Sequence, residues 1–480
     1  MYKRQAAGSA QAVNLGEFWA TDQIGGVTHI FDQSDLNDPT IDAVATEVDV
    51  ASPGNHNSVR MHITGFSNHA GLDPASRSIM TYLDGWMSIW NTNGGTHAPT
   101  EVAELEASTI NAYTEEGLGA PQKGNTVHAC GGNPQNNQIQ CASIFNADFS
   151  LFEADMETNT YTRIGIWKTG NLTLSPRLKG KMKDTVQAAY DELVANDADG
   201  QPNNICSQYS TDGTLLYLAV QNNATDGGVI VMDVSDPTNP TILDAYNDVM
   251  AAGCGLVNNP DGEHLWITHG FNKQGDPESV SIWSYAKAQK AKKSGPVQNI
   301  YLPTADDKPI YGGDAHGAQY AGLTNSFFWQ TMRVDDTMQI ISNEGGSGEL
   351  VNAMDLTAKS GRSVVSPDVL DRSQLGGHMY FSTRGPRPTT AIGSTAGGND
   401  RYNDSSRLAG VDVYSTVFGF DGSFVKHESM ESTGGTVYLC PAANYGSNYE
   451  VQCADTDPGA VAVSGADPHG TKSLNYLSGF

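Results

Sequence analysis

Basic residues are scarce in this chain. It contains 27 lysines and arginines against 54 aspartates and glutamates among 480 residues, for a formal net charge of −27 and an isoelectric point near 4.6. A nucleic-acid partner requires a basic surface that neutralises phosphates, so this composition argues against nucleic-acid binding. A strongly acidic surface is instead typical of a self-repelling extracellular protein.

Long apolar runs and the common catalytic signatures are also missing. A membrane-spanning helix needs about 18 apolar residues, and no run approaches that length, so we expect no membrane span. No Gly-x-Ser-x-Gly elbow, P-loop, Rossmann fingerprint or His-Glu-x-x-His motif stands out. These absences remove the usual signatures of acyl transfer, nucleotide binding and zincin proteolysis.

The six cysteines do not form a Cys-x-x-Cys motif, which argues against a zinc ribbon or a c-type haem. They fall as near or repeat-equivalent pairs: Cys130 with Cys141, Cys206 with Cys254, and Cys440 with Cys453. An even number in an acidic chain favours disulfides and an oxidising compartment.

The N-terminal residues 1–12 read MYKRQAAGSAQA, a basic start followed by small residues and an Ala-x-Ala-like site. We interpret them as the remnant of a signal peptide, with an ordinary disordered start as the alternative. Together with the cysteines, they predict a periplasmic or extracellular protein.

Short β-rich runs separated by Gly, Asn, Asp and Pro dominate the chain. The clearest unit spans residues 204–247, where four predicted strands and a turn at 210–213 occupy just over forty residues. The same order of predicted strands and turns repeats over residues 252–302. Four strands at this spacing are typical of one blade of a β-propeller.

Further blades are predicted to start near Met61, Asn125, His316 and Asp368, the last of them ending with a strand over Val417–Phe420. Strands near Phe18 and Val27 join a C-terminal strand after Asp467 in a seventh blade, which removes the open edge of a linear array. The predicted fold class is therefore all-β, a seven-bladed β-propeller closed by the N- and C-terminal strands in one blade. A single domain covers residues 13–480, with a helical insertion near 182–196 and a disulfide-containing loop near 432–464.

A polar position recurs at the start of each predicted innermost strand. The sequence Asp314-Ala315-His316-Gly317 is echoed near the C-terminus by Asp467-Pro468-His469-Gly470. In chain order the equivalent positions are His62, His128, Cys206, Cys254, His316, Asp368 and His469. Innermost strands surround the central channel of a propeller, so these side chains should converge from distant parts of the sequence.

Four of these seven positions are histidine although the chain has only 12 histidines in 480 residues. Neutral imidazoles are ligands for copper, iron and zinc, so we predict a transition-metal site, with copper favoured, formed by His62, His128, His316 and His469. The alternative is that the histidines form hydrogen bonds to neighbouring blades or to water.

The remaining positions leave alternatives open. Cys206 and Cys254 lie in adjacent blades, where a disulfide is favoured over a pair of thiolate ligands. Asp368 is interpreted first as a turn residue, with a metal ligand or a partner of an imidazole as the other possibilities.

The ends of the second strands should surround the same mouth of the channel. They supply three candidate catalytic residues, His269, Arg333 and Arg384. An arginine beside a metal can hold a carboxylate, sulfonate or phosphate through two hydrogen bonds, whereas pairing with the surplus acidic residues is the structural alternative.

Two motifs, each a turn followed by a strand, are similar to motifs of a known class of propeller. Tyr209-Ser210-Thr211-Asp212-Gly213 before Leu216–Val220, and Pro260-Asp261-Gly262 before Leu265–Thr268, resemble bacterial secreted seven-bladed propellers of the YVTN-repeat type. The chain is more distantly similar to methanethiol oxidases of the selenium-binding-protein family. That likeness implies a propeller associated with copper and with the oxidation of small thiols.

The leading functional hypothesis is a secreted metalloenzyme, an oxidoreductase in which Arg333 or Arg384 orients a small and anionic substrate. One alternative is a non-catalytic propeller that binds proteins or glycans. Another is a hydrolase or lyase that uses a divalent metal, or His269 as a general base.

Overall fold

The structure is a computed structural model of the 480-residue chain. It describes residues 14–22, 27–34, 42–49, 63–66, 77–81, 85–93, 98–108, 127–143, 147–196, 200–222, 226–250, 252–270, 278–302, 315–333, 335–373, 376–385, 408–430, 436–440, 451–453, 456, 458–459, 461–464 and 466–475. The predicted signal remnant at 1–12 and the histidine at position 62 lie outside these residues.

Most of the described strands belong to seven four-stranded antiparallel sheets. The chain begins with three strands that join the last blade: β1 (Asn14–Asp22), β2 (Val27–Ser34) and β3 (Asp42–Asp49). Blade 1 consists of β4 (Ile63–Phe66), β5 (Arg77–Thr81), β6 (Trp86–Asn91) and β7 (Thr100–Glu106). Blade 2 consists of β8 (Val127–Gly132), β9 (Gln138–Ser143), β10 (Asp148–Asp155) and β11 (Thr160–Lys168).

The central blades have the same sequential order. Blade 3 consists of β12 (Asn203–Tyr209), β13 (Leu215–Asn222), β14 (Asp226–Asp233) and β15 (Thr241–Met250). Blade 4 consists of β16 (Ala252–Asn258), β17 (His264–His269), β18 (Ser279–Ser284) and β19 (Gln298–Tyr301).

Two further complete blades follow. Blade 5 consists of β20 (Ala315–Ala321), β21 (Phe327–Met332), β22 (Thr337–Ser342) and β23 (Leu350–Asp355). Blade 6 consists of β24 (Pro367–Arg372), β25 (His378–Thr383), β26 (Gly410–Ser415) and β27 (Ser423–Ser429).

A separate three-stranded sheet precedes the final strand. It contains β28 (Thr436–Cys440), β29 (Val451–Cys453) and β30 (Val461–Ser464) in the order β29-β28-β30. The last strand, β31 (Pro468–Asn475), pairs with β1 and completes blade 7 in the order β3-β2-β1-β31.

The seven blades form a closed ring. The innermost strand of every blade contacts the innermost strands of both neighbouring blades, and β31 contacts β24 on one side and β4 on the other. The prediction of a seven-bladed β-propeller closed by N- and C-terminal strands in one blade is therefore confirmed.

The second strand of blade 3 is apolar over Leu215–Val220 because the blade is covered on both faces. In β13 the adjacent residues Tyr217 and Leu218 point to opposite faces, and both are fully buried. Between blades 4 and 5, Trp266 packs on Phe328 with ring centroids 4.9 Å apart. Each such side chain contributes about 1.5–3 kcal/mol of burial free energy, which holds the blades in place around the channel.

Helices are few among the described residues. They are α1 (Gly180–Ala195), α2 (Tyr285–Lys290) and α3 (Leu356–Ser360). The first overlaps the predicted insertion at 182–196 and packs Val186, Tyr190 and Leu193 on blade 3. No described helix is long and apolar enough to cross a membrane.

One strand prediction is wrong. Val417–Phe420 forms a turn, and the outer strand of blade 6 is β27, a few residues later. Gly419 has a positive φ of 76° and donates its N–H to the carbonyl of Thr416, which ends the extended run. The apolar pattern at Val417 and Phe418 was misleading because Phe418 is 75% exposed.

Candidate metal centre in the central channel

Among the described residues, six of the seven innermost strands carry a β-bulge near their start. In β20, Ala315 pairs with Met332 and Ala318 with Gln330, so the inner strand has one residue more than its partner. Similar register shifts occur near the start of β8, β24 and β31. A bulge bends the strand and re-aims a side chain, which here places polar residues towards the channel.

Four of the predicted positions lie within these bulges: His128, His316, Asp368 and His469. In β12 the register shift falls between Asn204 and Cys206, so Ile205 occupies the bulge and Cys206 pairs with Ala219. The predicted alignment of Cys206 is therefore wrong by one residue.

A hydroxyl from the preceding blade holds each of these four positions. The donors are on the second strand of the neighbouring blade, and each reaches the backbone carbonyl of the bulge residue. Their oxygens lie 3.4 Å (Thr81 to His128), 3.2 Å (Thr268 to His316), 2.8 Å (Thr331 to Asp368) and 3.1 Å (Ser382 to His469) from those carbonyls. These repeated hydrogen bonds therefore fix the backbone of the bulge residues, in addition to the contacts that their side chains make.

The glycine after His316 has a steric reason. A Cβ at Gly317 would lie 2.5 Å from the carbonyl oxygen of Asp368 in the next blade. Only glycine allows the two inner strands to approach this closely, which explains the His-Gly sequence.

Asp368 lies between the two histidines of the repeated motif. Its Oδ1 is 2.5 Å from Nδ1 of His316, and its Oδ2 is 2.6 Å from Nδ1 of His469. The ring centroids of the two histidines are 5.2 Å apart. All three side chains are buried, and their potential ligand atoms lie within 4.8 Å of one another.

Two arginines supply positive charge to this carboxylate. Nη1 of Arg384 lies 2.7 Å from Oδ2 of Asp368, and Nη1 of Arg333 lies 3.5 Å from its Oδ1. Burial opposes ionisation, yet the histidines and arginines around Asp368 hold its pKa well below 3.8. Burial lowers the pKa of His469 to about 3, so this imidazole is neutral at pH 7 and the arginines provide the positive charge.

His128 approaches the same region from blade 2. Its ring centroid is 6.3 Å from that of His469, and its Nδ1 lies 2.6 Å from the carbonyl oxygen of Ile205. A carbonyl can only accept, so the proton of the neutral ring is on Nδ1. The Sγ atom of Cys206 is 3.4 Å from the same nitrogen.

The three imidazoles fit the requirements of a transition-metal site. In His128 and His469, Nδ1 lies at hydrogen-bond distance from an oxygen acceptor, which leaves Nε2 as the atom with the lone pair. Nδ1 of His316 contacts Oδ1 of Asp368. Metal-ligating histidines characteristically have their other ring nitrogen held by a carboxylate or carbonyl. His316 and His469 form the metal-compatible group together with Asp368, which contacts both rings, and His128 lies beside His469.

Arg384 is engaged with two carboxylates. Its Nε and Nη2 donate to Oδ1 and Oδ2 of Asp467 at 2.6 and 2.7 Å, and its Nη1 contacts Asp368. The side chain is 1% exposed. Arg333, which is also buried, makes the longer contact of the two arginines with Asp368.

The other predicted residues have different surroundings. The Nε2 atom of His269 lies 2.6 Å from Oγ of Ser281 in its own blade, and the described contacts do not join it to the cluster. Cys206 is buried, and its favoured disulfide with Cys254 stays a prediction. The side chains of Cys254, Cys440 and Cys453 lie outside the described part of the chain, whereas Cys130 and Cys141 form a disulfide.

Sequence reasoning missed two elements of the site. Asp467 precedes His469 by two residues but was not given a role, and the hydroxyl residues of the second strands were not recognised. A signal exists for the hydroxyl residues: Thr268, Thr331 and Ser382 each stand one or two residues before His269, Arg333 and Arg384, respectively.

Comparisons with known proteins agree on the fold. No protein-family model and no curated protein matches the chain. A hypothetical selenium-binding protein from Sulfolobus tokodaii superposes with a TM-score of 0.58 at 10% identity, covering 98% of this chain and 96% of that chain. A protein from Lactobacillus plantarum gives 0.55 at 8% identity over 96% of this chain and 100% of its own.

A putative 6-phosphogluconolactonase from Bacteroides uniformis gives a TM-score of 0.51 at 11% identity, covering 87% of this chain and 97% of that chain. Identities this low establish the β-propeller fold alone. The chain is similar to propellers that carry different names, so its function must be argued from its own site.

Proposed function

We propose that the protein is a secreted metal-binding β-propeller, a redox metalloenzyme that oxidises a small substrate in its central channel. The observation that carries this proposal is the arrangement of three buried imidazoles whose Nδ1 atoms face oxygen acceptors. Copper is the favoured ion because nitrogen sites bind Cu(II) most tightly among divalent first-row metals, with iron and zinc as the other candidates.

His128, His316 and His469 hold the ion through Nε2 in this proposal. Asp368 orients two of the rings and adds negative charge without leaving its contacts to the arginines. A bound ion would act as a Lewis acid towards the substrate, and copper or iron could also change oxidation state.

Arg333 is the better candidate for orienting an anionic substrate. Three nitrogens of Arg384 already contact Asp467 and Asp368 at 2.6–2.7 Å, so a substrate would have to displace a buried ion pair. Arg333 contacts Asp368 at 3.5 Å, and a guanidinium can hold a small carboxylate or sulfonate through two hydrogen bonds. Secretion is supported by the Cys130–Cys141 disulfide, which is typical of an oxidising compartment.

Elemental analysis of protein purified without a histidine tag tests the proposal. We expect close to one copper, iron or zinc ion per chain, either as isolated or after reconstitution and desalting. Less than about 0.1 ion per chain after reconstitution would contradict a metal site and favour a non-catalytic propeller with structural histidines.

A further inference from the structure

A buried arginine connects the closing blade to the aspartate between the histidines. Arg384 directly follows β25 in blade 6, and its guanidinium forms a two-pronged pair with Asp467 while Nη1 contacts Asp368 at 2.7 Å. Asp467 directly precedes β31, the strand that carries His469. The two hydrogen bonds to Asp467 fix the direction of Nη1, because rotation of the planar guanidinium would break both of them.

The same aspartate is bound to the N-terminal strand. The backbone N–H of Asp467 donates to Oδ1 of Asp22, the last residue of β1, at 2.7 Å. Asp22 also pairs with Pro468 in the register of β1 and β31. A continuous series of contacts therefore runs from the N-terminal strand through Asp467 and Arg384 to Asp368.

The backbone permits this arrangement at one specific residue. A Cβ on Gly385, next to Arg384, would lie 1.9 Å from the carbonyl oxygen of Ala466, next to Asp467. Only glycine allows the two segments to come this close, and the short distance brings the guanidinium within reach of both oxygens of Asp467.

Arg384 also determines which way Asp368 faces. Asp368 must direct one oxygen to each histidine, and Arg384 holds Oδ2 on the side of His469, where Nη1 is 3.2 Å from Nδ1 of that ring. The contact from Arg333 to Oδ1 is 0.8 Å longer than that from Arg384 to Oδ2. A long contact orients a carboxylate less well than a short one from an anchored donor.

We propose that Arg384 is a positioning residue: anchored by Asp467 in the closing blade, it holds Asp368 and thereby His469 and His316 in the geometry that binds the metal. Assembly of the site then depends on closure of the ring by β1 and β31. This inference rests on the proposed metal site and assigns Arg384 to it instead of to the substrate.

Copper binding and hydrogen exchange together test the inference. The full-length protein and its Arg384→Lys and Asp467→Asn variants would be titrated with Cu(II), followed by electron paramagnetic resonance. Lysine keeps the positive charge but cannot form the paired hydrogen bonds to Asp467, and Asp467→Asn weakens the same pair. We therefore expect copper affinity to fall about 10–100-fold and the parallel hyperfine splitting to change in both variants. Hydrogen exchange of the backbone in β1 and β31 should accelerate in the metal-free variants and show that the other blades stay folded.

Arg362→Lys is the matched control. Arg362 forms another largely buried arginine–aspartate pair in blade 6, with Asp412, and is not among the residues that contact Asp368. It should lose stability and keep the copper spectrum of the unmodified protein. Unmodified copper affinity and spectrum in Arg384→Lys would overturn the positioning role while leaving the proposed function intact. A parent protein that binds no copper, iron or zinc would overturn both the proposed function and the positioning role. Faster exchange of β1 and β31 in the variants would then show only that Arg384 and Asp467 stabilise the closing blade.

Discussion

Nδ1 of His469 lies 2.6 Å from Oδ2 of Asp368, although the two residues are 101 positions apart and belong to different blades. The same carboxylate reaches His316 through its other oxygen. One buried aspartate thus fixes two imidazoles in the channel, and most of the following predictions depend on this contact.

Removing a proposed ligand should remove the metal. His316→Ala and His469→Ala each delete one of three nitrogen donors, so copper affinity measured by competition with a chelator should fall more than about 100-fold. His264→Ala is the control, because His264 begins β17 and contacts Asp261 instead of the channel residues. Full copper binding by His316→Ala would mean that the cluster is not the metal site.

Neutralising the central carboxylate should weaken binding and folding together. Asp368→Asn leaves Arg333 and Arg384 near an uncharged amide, so we expect about 3–5 kcal/mol of lost stability in chemical denaturation. Copper affinity should fall about 10–100-fold, since the imidazoles lose their common acceptor.

Asp371→Asn is the matched control for that change. Asp371 lies three residues further along β24 and contacts Gln319 and Lys472. Its replacement should reduce stability but leave copper affinity within about twofold of the parent. Equal losses of copper affinity in both variants would contradict the specific role of Asp368.

As the pH is lowered, the metal-free protein should begin to lose stability at a higher pH than the protonation of ordinary carboxylates would cause. The pKa of His469 is lowered from 6.5 to about 3 in the folded protein because the ring is buried. Above pH 6.5 the ring is neutral in both the folded and the unfolded chain, and the protein has its full stability. As the pH falls towards 3, the ring is protonated only in the unfolded chain, so the free energy of unfolding decreases. The expected slope is about 1.4 kcal/mol per pH unit within that window.

Urea unfolding of chelator-treated protein at pH 7, 6, 5 and 4 measures this slope. In His469→Gln the contribution of this ring disappears, so the loss between pH 6.5 and 4 should become smaller. An unchanged slope in the variant would show that folding does not lower the pKa of His469.

Blade assignment from sequence succeeded because the strand–turn repeat is local. Asp212-Gly213 and Asp261-Gly262 mark turns directly, since both glycines have a positive φ. The side-chain contacts were harder to foresee because they depend on register. A single bulge residue places Ile205 where Cys206 was expected, and a one-residue shift reverses which face a strand side chain occupies.

The role of Asp368 illustrates the same limit. Its sequence neighbourhood, Ser-Pro-Asp-Val, is compatible with a turn, and its partners His316, Arg384 and His469 come from three other strands or loops. Only the ring brings them together. His269 is buried at the end of β17, where Nε2 lies 2.6 Å from Oγ of Ser281, and its role at the channel mouth stays a prediction.

Two of the cysteines should be linked in the isolated protein. Peptide mapping after unfolding and alkylation without reduction should find Cys130 linked to Cys141. Replacing both Cys130 and Cys141 by alanine should lower stability by about 2–3 kcal/mol, as the disulfide closes a short loop. Alkylation of Cys130 or Cys141 without reduction would contradict this disulfide.

Anomalous diffraction from crystals of the copper-loaded protein tests the central claim most directly. The account predicts one strong peak in the channel, about 2.0–2.1 Å from Nε2 of His128, His316 and His469, with Asp368 still in contact with both Nδ1 atoms. A peak located only at surface carboxylates, or a channel without a peak, would contradict it.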